Sequence, residues 1–304
     1  MRGCLRRSRH VSTTVVLAAL ACACSPRTLV IVGPDRCLDG GATRGEPGCV
    51  VPDPCADGGV VRGVPGCVPP GLLDDLVGYW RLDDAPGSTM AHDWSGRANE
   101  GTLVGLNPTT AWTAGLAAGG LAVGAAGYVN VAPSTSIDSI TDHVTLAGWA
   151  FLDATTPIMD YATIASRQYL TGIDQHYHIS INSRGEVATF FVKTETAASM
   201  RGAPTAVARQ TWVHIAGTYD GITARLYVDG REVSNQPLTG RFVPDTTPII
   251  LGGNGNDAVV SELFPGRIDE IMLYRRALSA AEIAMLHEGA LFAAPVNLDG
   301  GARD

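Results

Sequence analysis

Apolar residues recur at every second position in several short segments between residues 77 and 274. In one of them, Tyr177, Ile179 and Ile181 alternate with polar neighbours, which is the pattern of a half-buried strand. Another segment, 143–152, is apolar on both faces, as expected for a central strand of a sandwich. Helical periodicity is scarce by comparison. The pattern therefore predicts an all-β fold.

Two local signals refine this pattern. Asp229-Gly230 separates two alternating runs, and this dipeptide is typical of a tight β-hairpin because both turn positions need a positive φ angle. Near the C-terminus, Ser279 and Glu282 match a capping box, which would open a short helix that Gly289 can end. The sequence thus predicts antiparallel pairing and one short C-terminal helix.

Composition agrees with many short strands, since the 304 residues include 36 glycines and 18 prolines. The formal net charge is −8, and four of the 22 basic residues are arginines within the first 23 positions. Without that segment, 18 basic residues face 30 acidic ones, a balance of −12. Binding to nucleic acid usually needs a basic patch, so this balance argues against a nucleic-acid partner.

Residues 1–23 have the organisation of a secretory signal peptide. Arginines precede the apolar run 11–23, which is too short to span a membrane, since a span needs ~20 apolar residues. Residues 21–25 resemble a bacterial lipobox, and we predict lipidation at Cys24 because processing there leaves an even number of cysteines. Lipidation at Cys22 and cleavage without a lipid remain alternatives. We expect membrane attachment only through this lipid, with residues 24–36 as a tether.

Residues 37–68 contain two copies of an 18-residue repeat, each with two cysteines and almost no large apolar side chain. In an exported protein, the simplest arrangement is one disulfide in each copy, Cys37 with Cys49 and Cys55 with Cys67. Four cysteines allow three pairings, and the sequence does not choose among them. A zinc site is the rival interpretation, but the repeats contain no histidine and lack the spacing of a zinc knuckle.

Five motifs and a final strand–helix pair follow one another along the rest of the chain. They are Gly78–Asp83, Asp93–Gly96, Thr145–Trp149, Trp212–Asp220 and Leu226–Gly230, followed by Gly266–Leu278 and Ser279–Glu288. In this order they resemble LamG-like domains of the concanavalin A-like lectin/glucanase superfamily, over residues 74–292. The resemblance implies a jelly-roll sandwich of two antiparallel sheets and leaves residues 293–304 as a flexible tail. Because the superfamily holds both lectins and hydrolases, the fold alone does not decide the function.

The carboxylates of the closing strand argue against catalysis. Retaining glycosidases need two carboxyl groups about 5–5.5 Å apart on the same side of the scissile bond. On a regular strand, such a pair would lie two residues apart. The residues two positions away from Asp269 and from Glu270 are not acidic. We therefore expect no catalytic residues.

Calcium is the cofactor that the resemblance implies, because LamG-like domains commonly bind it. The oxygen-rich loop that begins at Asp93 supplies Asp93 and Asn99 as plausible ligands, and the closing strand supplies Asp269. The alternative is that Asp93 caps a turn of its own backbone.

These observations predict an exported, non-catalytic binding module that recognises a glycan or a cell-surface protein. The expected location is the outer membrane or cell surface as a lipoprotein, or otherwise the medium. A polysaccharide hydrolase and a structural envelope protein are the alternatives. Trp94, Trp112 and Tyr169 lie in predicted loops and could stack on a sugar, or they could anchor the core.

Overall fold

A computed structural model describes residues 71–124, 126–167, 177–256 and 259–292 of the chain. The strands within these ranges are β1 Leu76–Trp80, β2 Met90–Ala91, β3 Gly101–Val104, β4 Trp112–Ala114, β5 Gly119–Ala122, β6 Tyr128–Val131, β7 Val144–Leu152, β8 Tyr161–Arg167, β9 Tyr177–Asn182, β10 Val187–Lys193, β11 Ala198–Ala206, β12 Trp212–Tyr219, β13 Thr223–Val228, β14 Arg231–Pro237, β15 Ile249–Leu251, β16 Asn254–Asn256, β17 Val259–Ser261 and β18 Gly266–Tyr274. The helices are α1 Pro108–Ala111, α2 Thr135–Asp138 and α3 Ala280–His287.

Two antiparallel sheets of eight strands each form the jelly-roll sandwich that the sequence predicts. Sheet I has the order β14-β13-β12-β7-β18-β5-β4, and β1 also pairs with β18. Sheet II has the order β11-β10-β9-β8-β15-β6-β3-β2. Strand β18, near the end of the chain, thus pairs with β1, near the start of the described residues. The closing strand therefore joins both ends of the domain.

The principal core contains apolar side chains from both sheets. Trp80 and Ile271 of sheet I and Phe190 and Ile179 of sheet II are fully buried members of this cluster. Burial of apolar surface stabilises a fold by roughly 25 cal/mol per Å². Residues 71–304 contain no cysteine, so this burial acts without support from a disulfide within that segment.

A second apolar cluster covers the outer face of sheet I. Tyr79, Met272 and Tyr274 of the sheet pack with Ile283 and Leu286 of α3. Burial on both faces explains why β18 is apolar at most positions instead of alternating. The C-terminal helix is therefore part of the sandwich.

The two local signals read from the sequence are confirmed. Ser279 and Glu282 form both hydrogen bonds of a capping box at the start of α3, and Gly289 adopts φ 84° just beyond its end. Asp229 and Gly230 have φ angles of 48° and 74°, as the tight turn between β13 and β14 requires.

Several sequence predictions fall outside the described residues. These are the signal peptide, the tether, the repeat region with its four cysteines, the lipidation site at Cys24 and the tail after residue 292. Within the described ranges, the helices are all too short or too polar to cross a bilayer.

Candidate functional site

The carboxylate of Asp93 is fully engaged by donors from its own neighbourhood. Its Oδ1 accepts hydrogen bonds from the backbone N–H groups of Tyr79 and Ser95, both at 2.9 Å. Its Oδ2 accepts from the Ser95 hydroxyl and from the backbone N–H of Asn99, both at 2.8 Å. Four donors thus surround one buried carboxylate, and they hold the loop 93–99 against β1.

Asn99 extends this network to helix α2. Its side-chain Nδ2 donates to the carbonyl of Val77 at 2.7 Å and to the hydroxyl of Ser136 at 2.9 Å. Its Oδ1 accepts from the Ser134 hydroxyl at 2.6 Å. The structure therefore brings Asp93 and Asn99 together, as predicted, and ties their loop to both β1 and α2.

Asp269 is held by a different loop. Its Oδ2 accepts the backbone N–H of Leu116 at 2.6 Å, in the connection between β4 and β5. Gly115 permits this approach, since a Cβ there would lie 2.5 Å from the same oxygen. The Oδ1 of Asp269 is buried and has no hydrogen-bond partner among the described residues.

The predicted calcium set can be tested against these contacts. Calcium takes six to eight oxygen ligands, often from carboxylates. Both Asp93 oxygens already accept two hydrogen bonds each, so an ion there would have to displace protein donors. Within the described ranges, no group of three or more His, Cys, Asp or Glu side chains is placed to hold a metal ion. These contacts fit the turn-capping alternative, and calcium binding stays a prediction.

A β-bulge in β18 changes the argument about paired carboxylates. The pairing with β7 shifts register between Asp269 and Met272, and Glu270 adopts φ 52°. Ile268 and Ile271 both face the principal core, so Asp269 and Glu270 occupy the space where regular alternation would place one residue. The sequence argument assumed that alternation, and the assumption is wrong here. Two acidic side chains do lie side by side on the outer face of sheet I.

The environment of this pair favours its protonated forms. Burial raises the pKa of Asp269 to about 7, although the backbone N–H of Leu116 acts in the opposite direction. Burial and then the charge of Asp269 raise the pKa of Glu270 to about 8. The hydroxyl of Tyr79 donates to Oε2 of Glu270. At neutral pH, Glu270 is therefore mainly a neutral acid.

The acidic pair is closed to solvent. Asp269 is 0% exposed and Glu270 is 2% exposed. The residues that follow α3 lie beside Glu270: the Tyr79 hydroxyl, which donates to Glu270, also contacts the carbonyl of Leu291 at 3.2 Å, and Arg81 donates to the carbonyl of Phe292 at 3.3 Å. The connection between β4 and β5 packs against Asp269. A sugar ring has no access to either carboxyl group in this arrangement.

An open groove lies beside the loop that begins at Asp93, and we call it the arginine groove. Its volume is about 320 Å³, at the lower end of the range typical of small-molecule sites. The lining residues are Asp75, Leu76, Val77, Arg97, Thr135, Ser136, Ser139 and Arg275. The groove thus lies where β1 begins, beside helix α2 and the end of β18.

The two arginines of the groove differ in their partners. Arg275 forms an ion pair with Asp75 at 2.6 Å and also contacts the Ser139 hydroxyl at 3.4 Å. Arg97 is exposed, and its Nε donates to the carbonyl of Leu76 at 3.3 Å. The two terminal nitrogens of Arg97 have no hydrogen-bond or ion-pair partner in the described part of the chain. Arg97 therefore presents an unpaired guanidinium edge to the groove.

Of the three aromatic residues considered for sugar stacking, the two that the structure describes are not fully exposed. Trp112 is buried in the principal core, and its indole N–H donates to the carbonyl of Ser88 at 2.8 Å. Trp94 is half-buried, with the guanidinium of Arg81 over its ring at 4.9 Å. Tyr169 lies outside the described residues. Trp112 is thus a core anchor.

The family model of the concanavalin A-like lectin/glucanases superfamily, Laminin_G_3, matches residues 123–284, more than half of the chain. The chain belongs to this family. The match includes most of sheet II and the strands β7, β12 and β18 at the centre of sheet I.

Solved structures agree with this laminin G-type fold. The binding domain of Paraclostridial Mosquitocidal Protein 1 aligns over 71% of the chain with a TM-score of 0.55 and 17% identity. Domain 4 of AbnA, an extracellular arabinanase from Geobacillus stearothermophilus in complex with arabinotriose, aligns over 70% of this chain and 98% of that domain, with a TM-score of 0.51 and 17% identity. The sialidase of Trypanosoma rangeli aligns over 70% of the chain and 32% of its own length, with a TM-score of 0.51 and 17% identity.

These similarities have limits. The chain spans about half (52%) of the mosquitocidal binding domain. No curated protein matches the sequence. At such low identity, the structural likeness establishes the laminin G-type sandwich alone.

Two features of this domain were missed in the sequence, although each leaves a trace there. The bulge is visible as a spacing of three between Ile268 and Ile271, followed by a spacing of two to Leu273. The arginine groove combines Arg97 with Arg275, which are 178 positions apart in the chain. Only the pairing of β1 with β18 brings them together.

Proposed function

We propose that the chain is a non-catalytic binding module that recognises a glycan or a protein outside the cell. The main support for this proposal is that the acidic pair and the groove differ in their accessibility to a ligand. The carboxyl groups that could serve as a glycosidase pair are buried, Glu270 beside the segment after α3 and Asp269 against the connection between β4 and β5, whereas the arginine groove is open. A ligand can therefore reach a binding surface but not the acids.

Similar structures support a binding role. They include the binding domain of a mosquitocidal protein, the receptor-binding domain of a botulinum neurotoxin and an arabinanase domain in complex with arabinotriose. The same fold thus serves ligand binding in proteins of different activity.

The predicted leader supports a location outside the cytoplasm. In this proposal, residues 1–23 direct export, Cys24 carries the lipid anchor, and the repeats with Cys37, Cys49, Cys55 and Cys67 hold the domain away from the membrane. The partner would then be a glycan or protein of a cell surface or of the medium.

A carbohydrate array probed with the purified chain, combined with a reducing-sugar assay on every retained glycan, tests this function. We expect retention without release of reducing ends. Release of reducing ends would contradict the proposal and favour a hydrolase. Co-purification of an envelope protein with no glycan signal would favour a protein ligand or a structural role in the envelope.

A polysaccharide hydrolase is the second candidate, and the bulge is the observation that favours it. Adjacent carboxyl groups with raised pKa values are what a general acid requires. Such an enzyme would need the segment 288–292 to move away from Glu270. Hydrolysis that is lost in Glu270→Gln would identify this candidate.

A further inference from the structure

We propose that the arginine groove binds the acidic group of a saccharide, either a carboxylate or a sulfate. This inference rests on the binding function proposed above and adds the class of ligand and its site. Within the groove, Arg97 supplies the main contact, and Arg275 supplies a second positive charge.

The first argument is charge. The chain carries a net charge of −8, yet this groove has two guanidinium groups and one carboxylate, that of Asp75. Asp75 already pairs with Arg275. The edge of Arg97 formed by its two terminal nitrogens is free, and a planar guanidinium fork matches a carboxylate or a sulfate with two parallel hydrogen bonds.

The second argument is that the groove is preorganised. The Ser95 hydroxyl, itself bonded to Asp93, accepts the backbone N–H of Arg97 at 3.2 Å. The Nε of Arg97 is anchored on the carbonyl of Leu76. Because the backbone and the inner part of this side chain are already fixed, binding loses less conformational entropy. The network predicted as a calcium site thus has a second role, which is to position Arg97.

The third argument concerns the rest of the lining. Thr135, Ser136 and Ser139 add three hydroxyl groups to the lining. The Ser139 hydroxyl donates to the carbonyl of Ser136 and the Ser136 hydroxyl accepts from Asn99, whereas the exposed Thr135 hydroxyl has no hydrogen-bond partner among the described residues and can both donate to and accept from a sugar hydroxyl. No aromatic ring is among the described lining residues. Recognition here depends on charge and hydrogen bonds, which favours an acidic saccharide over a neutral one.

Binding of two probes tests the proposal. One is an oligosaccharide of uronic acids and the other is a sulfated oligosaccharide, each compared with its neutral parent by calorimetry on the purified chain. We expect at least one acidic probe to bind more tightly than its parent, with an affinity that falls as sodium chloride is added. The probe that binds distinguishes a carboxylate from a sulfate.

Variants locate the site. Arg97→Ala should weaken the affinity for the acidic probe at least about tenfold, because hydrogen bonds between charged groups are lost. Arg97→Lys should be intermediate, since it keeps the charge but not the fork. The matched control is Arg241→Ala, which removes one exposed positive charge away from the groove lining and should change affinity less than about twofold.

A second variant distinguishes a loss of binding from a loss of folding. Thr135 is exposed at the first residue of α2, where an acidic side chain is tolerated by the helix. Thr135→Asp should keep the melting temperature and abolish binding of the acidic probe by repulsion.

Three results would overturn the inference: equal affinity of Arg97→Ala and the unaltered chain, tighter binding of the neutral parents, or unchanged binding by Thr135→Asp. In each of these, the binding function itself stands if a ligand is retained without cleavage. Cleavage of the probes would instead contradict the proposed function.

Discussion

Two groups of buried acids flank strand β1, and they offset the cost of burial in different ways. Asp93 accepts four hydrogen bonds, three of them from the backbone N–H groups of Tyr79, Ser95 and Asn99. Asp269 and Glu270 lie side by side with fewer donors, and burial raises the pKa of both groups. An isolated buried charge is costly, so a protein either surrounds it with donors or keeps it protonated. The donors around Asp93 fix the loop that follows it. The protonation of Asp269 and Glu270, in contrast, depends on pH.

The largest expected effect comes from removing Asp93. Asp93→Ala leaves buried backbone donors of Tyr79, Ser95 and Asn99 without an acceptor, so we expect a loss of about 3 kcal/mol or more in the free energy of unfolding. Chemical denaturation measures it. Asp142→Ala, at a half-exposed carboxylate, is the control and should cost less than about 0.5 kcal/mol.

The same variant decides between a turn cap and a calcium ligand. Because protein donors occupy both Asp93 oxygens, we expect Asp93→Ala to lose the same stability in a chelator as in millimolar calcium. A loss that appears only with calcium would make Asp93 a ligand and support the calcium site with Asn99 and Asp269.

The next effect is a pH dependence of the acidic pair. The folded-state pKa values of about 7 for Asp269 and about 8 for Glu270 lie above the usual values of these side chains, so protonation stabilises the fold. This contribution is complete below pH ~4 and is lost as pH rises through ~8. We expect the melting temperature to fall as the pH rises from 6.5 to 8 and to level off above pH ~8.

Glu270→Gln should flatten this fall, because a neutral amide replaces the acid that Tyr79, Arg81, Asp83 and Asp269 surround. A chelator excludes any effect of a bound cation. Burial lowers the pKa values of His178 and His214 to about 3. Their contribution to the stability of the fold is lost only as the pH falls below ~6.5, so it does not affect a measurement above that pH. Parallel curves for Glu270→Gln and the unaltered chain would contradict a protonated pair.

A smaller effect concerns the cover of the acidic pair. Ser279→Ala removes the capping box of α3, which precedes the covering segment, and should cost about 1 kcal/mol. Because the cover then opens more often, amide hydrogen exchange at 288–292 should accelerate. Unchanged hydrogen exchange at 288–292, despite the lost stability, would show that the cap of α3 does not control the opening of the covering segment.

The smallest effect is expected from reduction. All seven cysteines precede residue 71, so a reducing agent should shift the melting temperature of the domain by less than about 1 °C. Mass spectrometry of the non-reduced protein should find links within residues 37–49 and 55–67. A large shift on reduction would mean that the cysteine repeats stabilise the domain.

Much of the fold could be predicted because its signals are local. The alternation around Tyr177, the turn at Asp229-Gly230 and the cap at Ser279 each act within a few residues, and all three are present in the structure. Motif order then identified the family.

The site was harder to predict because it depends on distant pairings and on one local exception. The donors around Asp93 include the backbone of Tyr79, and backbone donors leave no mark on side-chain identity. The bulge at Glu270 overrides the period of two from which the absence of a carboxyl pair was argued. Arg97 and Arg275 meet only after the ends of the domain have paired.

Carbodiimide labelling of carboxyl groups, read by mass spectrometry, tests most directly whether the acidic pair is closed. In the native chain, we expect label on the half-exposed carboxylates Asp75 and Asp142 and none on Asp269 or Glu270, which should react only after denaturation. Native labelling of Asp269 and Glu270 at the rate of Asp75 would show an open acidic pair and would contradict a binding module whose acids are out of reach of its ligand.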